Sequence, residues 1–127
     1  MFHYTKTLNG SVNDNVNAIT ELLADEGFGV LWKLDLKDKL NDKGVNFSEE
    51  IAILEVCNPF EAKKVLEETI LASYFLPCKL IVYSDEGSTK IGMPKPTSLI
   101  QLLEDKNLEE IASDIEVRLI KCIDQLS

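Results

Sequence analysis

The side chains of this chain that could do chemistry are few, and its three cysteines are the most reactive of them. Cys57, Cys78 and Cys122 stand far apart, and His3 is the only histidine. Cys57 directly precedes Asn58, a residue type that caps helices, so its sulfur would lie near the positive end of a helix. That position favours the thiolate, the form that attacks disulfides and binds metals. Cys57 is therefore a candidate reactive thiol, although a cysteine at a strand end is more commonly a small core residue.

A partner for this thiol depends on how two predicted strands pair. Cys57 ends one strand, and Cys78, which follows Pro77, begins another. Antiparallel pairing would bring the two cysteines to the same end of the sheet, whereas parallel pairing would place them at opposite ends. A disulfide would also need Cα atoms within about 7 Å of each other. The candidate site residues are Cys57, Asn58, Pro59, Pro77 and Cys78.

Other familiar kinds of site lack their residues. The chain has no C-x-x-C pair and one histidine, so we expect no four-ligand zinc site, and His3 is better explained as an edge-strand residue. Gly27-Phe28-Gly29 lacks the third glycine of a phosphate-binding loop and precedes a strand. The serine elbow of hydrolases is absent too. We therefore expect no metal and no cofactor, and the sequence leaves open whether the protein catalyses a reaction.

The charge balance argues against polyanionic partners. The chain carries 22 acidic and 13 basic residues, a formal net charge of −9, and one arginine, Arg118. Nucleic acids and anionic membranes attract proteins with concentrated lysine and arginine. We therefore expect neither as a partner, and we interpret the acidity as a solvated surface that aids solubility.

Length and composition suit one folded unit. The 127 residues are 45% hydrophobic, enough for a core, and predict a single domain spanning residues 1–127. No apolar run approaches the roughly 20 residues that cross a bilayer. The amino terminus lacks the pattern of a secretion signal, so we expect a cytoplasmic protein with free thiols.

Periodicity predicts alternating strands and helices in the first half of the chain. In order these are a strand over 2–8, a helix capped by Ser11 and stopped at Gly27, a strand over 29–36, a short helix over 37–43 and a strand over 50–57. In the second strand of this list, Val30, Trp32, Leu34 and Leu36 would share one face. Five aromatic residues could line an apolar pocket, but they are expected mainly in the core; they are Tyr4, Trp32, Tyr74, Phe75 and Tyr83.

The second half begins with the clearest local signal, Asn58-Pro59-Phe60-Glu61, which has the arrangement of a capping box and predicts a helix to about Glu68. The remaining predicted elements are an extended return over 71–77, a strand over 79–83, a turn over 85–88, a strand over 89–93, a short helix capped by Thr97 or Ser98, and a long helix opened by Asn107 with Glu110. Cys122 falls on the apolar stripe of that last helix. Met93-Pro94-Lys95-Pro96 would be a rigid rim, a dimer contact or an ordinary strand end. This order predicts an α+β fold with a mainly antiparallel sheet of about five strands and helices on one face.

Several segments resemble the domain-of-unknown-function 302 family. They are Asp25-Glu26-Gly27-Phe28-Gly29-Val30-Leu31, Leu34-Asp35-Leu36, Lys43-Gly44, Ile53-Leu54, Cys57-Asn58-Pro59, Leu76-Pro77-Cys78 and Val82-Tyr83. The resemblance implies a TATA-binding-protein-like arrangement, in which a curved antiparallel sheet carries helices on one face, and it implies a homodimer. The chain departs from the family pattern at Glu55 and Val56, before the first cysteine motif, and at Lys79, after the second.

These observations support two main hypotheses. The first is a non-catalytic homodimeric module that holds a small ligand or a protein partner in the concavity of its sheet. The second is a thiol-dependent protein, redox or metal-linked, that uses Cys57 and Cys78. A purely structural subunit of a larger assembly is a third possibility that leaves no pattern in the sequence.

Overall fold

The computed structural model describes residues 1–127 and contains one five-stranded sheet. The strands are β1 (His3–Leu8), β2 (Gly29–Asp35), β3 (Ile51–Cys57), β4 (Cys78–Asp85) and β5 (Ser88–Pro94). Their order across the sheet is β1-β5-β4-β3-β2, and every neighbouring pair is antiparallel. The helices are α1 (Val12–Asp25), α2 (Leu36–Asp42), α3 (Pro59–Glu68), α4 (Pro96–Ile100) and α5 (Lys106–Asp124). The predicted α+β class with an antiparallel sheet is confirmed.

Capping residues set the bounds of the first and third helices as predicted. The Ser11 side chain accepts a hydrogen bond of 3.0 Å from the Asp14 N–H, and Gly27, with a φ of +84°, follows the end of α1. The Asn58 side chain accepts from the N–H groups of Phe60 and Glu61 at 3.0 and 3.3 Å. These bonds satisfy N–H groups that have no partner within the helix.

Three local predictions in the second half are wrong. The segment over 71–77 is not an extended return, because Ile70–Phe75 forms a 3₁₀ helix. The N-cap of α5 is Asp105, two residues before Asn107, and its carboxylate places a negative charge at the positive end of the helix. Thr97 does not cap α4, because its hydroxyl donates to the Glu116 carboxylate at 2.6 Å instead.

The core lies between one face of the sheet and the helices α1 and α5. On the sheet side, alternate residues of the three central strands are fully buried: Leu54, Val56, Leu80, Val82 and Ile91. On the helix side, the apolar stripes predicted from the sequence meet them, and Cys122 is fully buried among these residues, as expected. The other face of the sheet leaves its side chains half-buried or exposed.

A β-bulge in β2 overturns the predicted pattern of that strand. Val30 pairs with Val56, but Trp32 pairs with Glu55, so Leu31 is an extra residue between two successive pairs. Since the extra residue reverses the alternation, Trp32 points to the face away from the core, and 55% of its surface is exposed. Tyr74, in the 3₁₀ segment, is 80% exposed. The prediction that these two aromatic residues belong to the core is therefore wrong.

None of the helices is both long enough and apolar enough to cross a membrane.

Candidate functional site

The strands β4 and β5 are closed at one end and apart at the other. At the closed end, Asp85 pairs with Ser88 across a two-residue turn, in which Glu86 and Gly87 have φ values of +48° and +86°. The pairing then continues to Ile81 and Gly92 and stops. Beyond that point β4 pairs only with β3, and β5 only with β1. At this end the sheet therefore divides between β4 and β5.

Pro94 provides the physical reason for the division. In an antiparallel pair closed by a two-residue turn, hydrogen-bonded and non-hydrogen-bonded positions alternate from the turn. Counting from Asp85 and Ser88, the next hydrogen-bonded position after Ile81 and Gly92 would join Lys79 to Pro94. Proline has no N–H to donate. The Lys79 carbonyl therefore finds no donor on β5 at this position.

Two other hydrogen bonds confirm this alternation. The Ser84 N–H donates to the Glu50 carbonyl at 2.8 Å, so the peptide groups of Ser84 are directed toward β3. Those of Lys79, an odd number of residues away, are then directed toward β5. Likewise the Lys95 N–H donates to the Phe2 carbonyl at 2.6 Å, next to β1, so that the peptide groups of Pro94 are directed toward β4.

A cleft of about 340 Å³ occupies the space at this division. One wall is the start of β4 and the other the end of β5, while α5, α4 and the 3₁₀ segment enclose it on the helix side. Eleven of its sixteen lining residues are hydrophobic. They include Phe75, Leu76, Met93, Leu99, Ile100 and Ala112. The cleft thus offers an apolar surface of the size that small ligands use.

The charged residues of the cleft lining are Glu55 and Lys79, and they neutralise each other. They face one another on β3 and β4, and the Lys79 ammonium donates to the Glu55 carboxylate. Glu55 is the less accessible partner, with 14% of its side chain exposed against 51% for Lys79. The ion pair therefore leaves no unpaired positive charge to attract an anion into the cleft.

The structure brings the two candidate cysteines to the same end of adjacent strands. Val56 pairs directly with Cys78 in the antiparallel register, and Cys57 is the next residue. Both cysteines are half-buried and neither forms a disulfide.

The candidate residues divide between two spaces. Pro77 and Cys78 line the cleft, and the Leu76–Pro77 peptide bond is cis. Cys57 and Asn58 border a second, much smaller cavity of about 20 Å³, which Cys78 also borders. Pro59 lines neither space and is exposed at the first position of α3. Cys78 is therefore the one candidate that borders both spaces, and Pro59 borders neither.

The expected activation of Cys57 is wrong in direction. Burial raises the pKa of the Cys57 thiol, because desolvation disfavours the thiolate. The pKa of Cys78 rises to about 11, mainly through burial and further through the negative charges that Cys57 and Glu55 carry when ionised. Both thiols are therefore protonated near neutral pH. No three histidine, cysteine, aspartate or glutamate side chains converge as a metal site would require.

Arg118 fixes the elements beside the smaller cavity. Its guanidinium donates to the Glu26 carbonyl at 2.9 Å, lies 3.5 Å from the Glu61 carboxylate, and stands 5.1 Å from the centre of the Phe28 ring. Glu61 is buried and also meets Lys64 at 3.3 Å. This carboxylate therefore joins α3 to α5, while Asn58 alone provides the cap that both residues were expected to share.

The sequence interpretation missed the residues that open the cleft. Pro94 was interpreted as part of a rigid rim, a dimer contact or an ordinary strand end, and neither Leu99 nor Ala112 was a candidate. The signal was nevertheless present, because counting back from the turn at 85–88 places a proline at a hydrogen-bonding position of β5. The segment Met93-Pro94-Lys95-Pro96, for which a rigid rim was one of three interpretations, lines the cleft through Met93, Pro94 and Pro96.

Comparison with known proteins now places these features in a family. The family model described as Domain of unknown function DUF302 matches residues 4–126. The structure is similar to one described as "Crystal structure of uncharacterized conserved protein DUF302 from Bacillus stearothermophilus", with a TM-score of 0.97 and 52% sequence identity. That likeness covers 100% of this chain and 99% of the other. No curated protein matches the chain at a significant level. The chain therefore belongs to the domain-of-unknown-function 302 family, as its cysteine motifs predicted.

Proposed function

We propose that this protein is a non-catalytic binding domain that holds a small apolar ligand in the cleft between β4 and β5. The observation that carries the proposal is the cleft itself, about 340 Å³ in volume and lined mostly by hydrophobic side chains. It lies among strand ends and helices, where the surrounding elements fix its walls. This location differs from the concavity of the sheet that the sequence suggested, because the cleft opens between two strands on the helix side.

The alternative, a thiol-dependent protein, has less support. Its mechanism needs a thiolate near neutral pH, and burial raises the pKa of both Cys57 and Cys78. The three free thiols remain compatible with the reducing environment of the cytoplasm, where we propose that the protein acts.

Ligand binding can be tested with a fluorescent apolar probe. Phenylnaphthylamine should bind the purified protein with increased emission and about one site per chain. Ala112→Leu would extend a side chain of α5 into the cleft and should weaken binding at least several-fold, since Ala112 lines that space. Ser113→Leu, the matched control, adds the same side chain at the next, exposed position and should leave binding unchanged. Equal probe binding by both variants would place the ligand elsewhere.

We also propose that two copies associate through the open face of the sheet. That face carries apolar side chains that are half-buried or exposed in the single chain: Trp32, Leu34, Ile53, Ile81 and Tyr83. Five strands at a spacing of about 4.8 Å, each about 20 Å long, give a flat area on the order of 500 Å². This is comparable to the roughly 800 Å² of accessible surface that each partner buries in a stable interface.

Sedimentation velocity tests the association. The wild-type protein should sediment as a dimer at micromolar concentration, and Trp32→Glu should sediment as a monomer, because it would bury a charge within the interface. Phe60→Glu is the control, since Phe60 is 79% exposed on α3, away from the sheet. A monomeric wild type would refute the dimer while leaving the cleft proposal intact.

A further inference from the structure

The chemistry of the ligand follows from the walls of the cleft, and this inference rests on the ligand-binding function proposed above. The first observation is a polar group among apolar ones. The Lys79 carbonyl is directed toward β5 at the position where Pro94 has no N–H to offer. A carbonyl next to an apolar space is more stable with a hydrogen-bond donor than without one. A ligand that carries a hydrogen-bond donor would supply the partner that Pro94 of β5 does not offer to the Lys79 carbonyl.

The second observation is volume. A cleft of about 340 Å³ divided by about 30 Å³ for each water-sized group corresponds to a ligand on the order of ten non-hydrogen atoms. The apolar lining, which includes Phe75, Leu99 and Ala112, favours a hydrocarbon body over a sugar or a nucleotide. A ligand of this size gains most of its affinity from the transfer of its hydrocarbon surface out of water.

The third observation is charge. The ammonium of Lys79 is already paired with Glu55, and the chain carries a formal net charge of −9. A carboxylate or phosphate head would therefore meet a carbonyl oxygen and a nearby carboxylate without a free cation. Placing an uncompensated charge beside apolar walls is costly. The cleft thus disfavours an anionic head.

We infer that the cleft binds a small amphiphile with a hydrocarbon body and an uncharged donor head, of the primary alcohol class, whose hydroxyl donates to the Lys79 carbonyl oxygen. The body occupies the space between β4, β5 and α5, and the head lies where the ladder of the two strands ends. In this arrangement the ligand takes the place of the missing N–H of residue 94.

Displacement of phenylnaphthylamine by three matched compounds tests the inference. Nonanol has a donor head, methyl octanoate is neutral and only accepts, and octanoate is an anion of similar length. Nonanol should displace the probe at a concentration roughly 3- to 10-fold below that of methyl octanoate, as one net hydrogen bond would allow, and octanoate should be the weakest. Equal displacement by all three would overturn the inference and leave the ligand-binding proposal standing.

A pair of proline variants tests the role of Lys79. Pro94→Ala supplies an N–H to the Lys79 carbonyl, so the advantage of nonanol over methyl octanoate should disappear. Pro96→Ala, the control, removes the same ring from the cleft lining without placing a donor at that position, and should keep the advantage. If nonanol kept its advantage in Pro94→Ala, its head would bind elsewhere and the inference would be wrong. If neither the probe nor any competitor bound the wild type, the ligand-binding proposal would fail and the inference with it.

Discussion

The two ends of the β4–β5 pair differ, because one end is a regular ladder and the other is the wall of a cleft. At the turn end, Asp85 and Ser88 close a regular ladder, and Lys90 contacts the Asp85 carboxylate at 3.0 Å. At the other end the ladder stops after Ile81 and Gly92, and a cleft takes its place. The backbone hydrogen bonds are continuous at one end and replaced by apolar side chains at the other.

The difference teaches that the position of one proline decides where this sheet is open. Pro94 lies in a strand that has neighbours on both sides, where proline is rare because it interrupts the ladder. Here it removes a donor on the side of β4 only, since the neighbouring peptide of Lys95 still donates to Phe2. The sheet therefore keeps β1 attached while β4 and β5 separate.

The largest expected effect is the difference in side-chain packing between the closed part of the β4–β5 pair and the cleft. Ile91→Ala removes a fully buried side chain from the closed part of the pair, and should lower the free energy of unfolding by about 2–5 kcal/mol. Leu99→Ala removes a half-buried side chain that lines a space already present, and should cost less than about 1.5 kcal/mol. Urea unfolding of both variants measures the difference. Similar losses would mean that the cleft is packed as tightly as the core.

The second prediction concerns the thiol at the open end. With a pKa of about 11 in place of 9.0, Cys78 should have roughly 100-fold less thiolate at pH 8 than an unperturbed cysteine. Its alkylation by iodoacetamide in the wild-type protein should therefore be slow, and the rate should rise about tenfold per pH unit until near pH 11. Peptide mapping distinguishes it from Cys57 and from the buried Cys122. A rate that levels off near pH 9 would show an ordinary, accessible thiol.

The third prediction concerns the closed end. Gly87→Ala places a side chain at a φ of +86°, where L-residues are strained, and should cost about 1–2 kcal/mol of stability. Gly29→Ala is the control, because Gly29 has no positive φ and nothing lies within 4 Å of an added Cβ. Thermal unfolding of the two variants should rank them clearly. Equal stability would contradict the turn geometry on which the count from Asp85 to Pro94 depends.

The smallest expected effect is at Pro94 itself. Pro94→Ala should change overall stability by less than about 1.5 kcal/mol, because one backbone hydrogen bond is gained and one ring is lost. Its informative readout is amide hydrogen exchange, in which the new N–H should be protected by the Lys79 carbonyl. Exchange at the rate of an open amide would show instead that α4 and α5 hold the strands apart.

Local sequence signals predicted most of the fold, because they act within a few residues. Ser11 and Asn58 identified two helix starts, and the turn residues at 85–88 identified the hairpin. The family resemblance supplied the overall arrangement, which the comparison with a related structure confirms. Predictions were wrong where a residue had competing partners, as when Thr97 bonds Glu116 and does not cap α4.

The candidate site was harder to predict, because it depends on pairing between strands. The cysteine motifs indicated the correct end of the sheet, and Cys78 does line the cleft. The pKa of Cys57 could not be derived from its position before a helix, since burial has the opposite effect and depends on the packed structure. Likewise Trp32 is exposed because of the bulge in β2, and the alternation of residues in that strand did not predict the bulge.

The bulge in β2 also limits how copies of this chain can add to one another. β2 is an outer strand, and a regular outer strand can accept a strand from another molecule, which in turn offers a new edge. The extra residue at Leu31 breaks the spacing of the N–H and C=O groups that such growth requires. Sheet extension at this edge is therefore discouraged, which protects a protein with a partly apolar, exposed sheet face from growing into fibres.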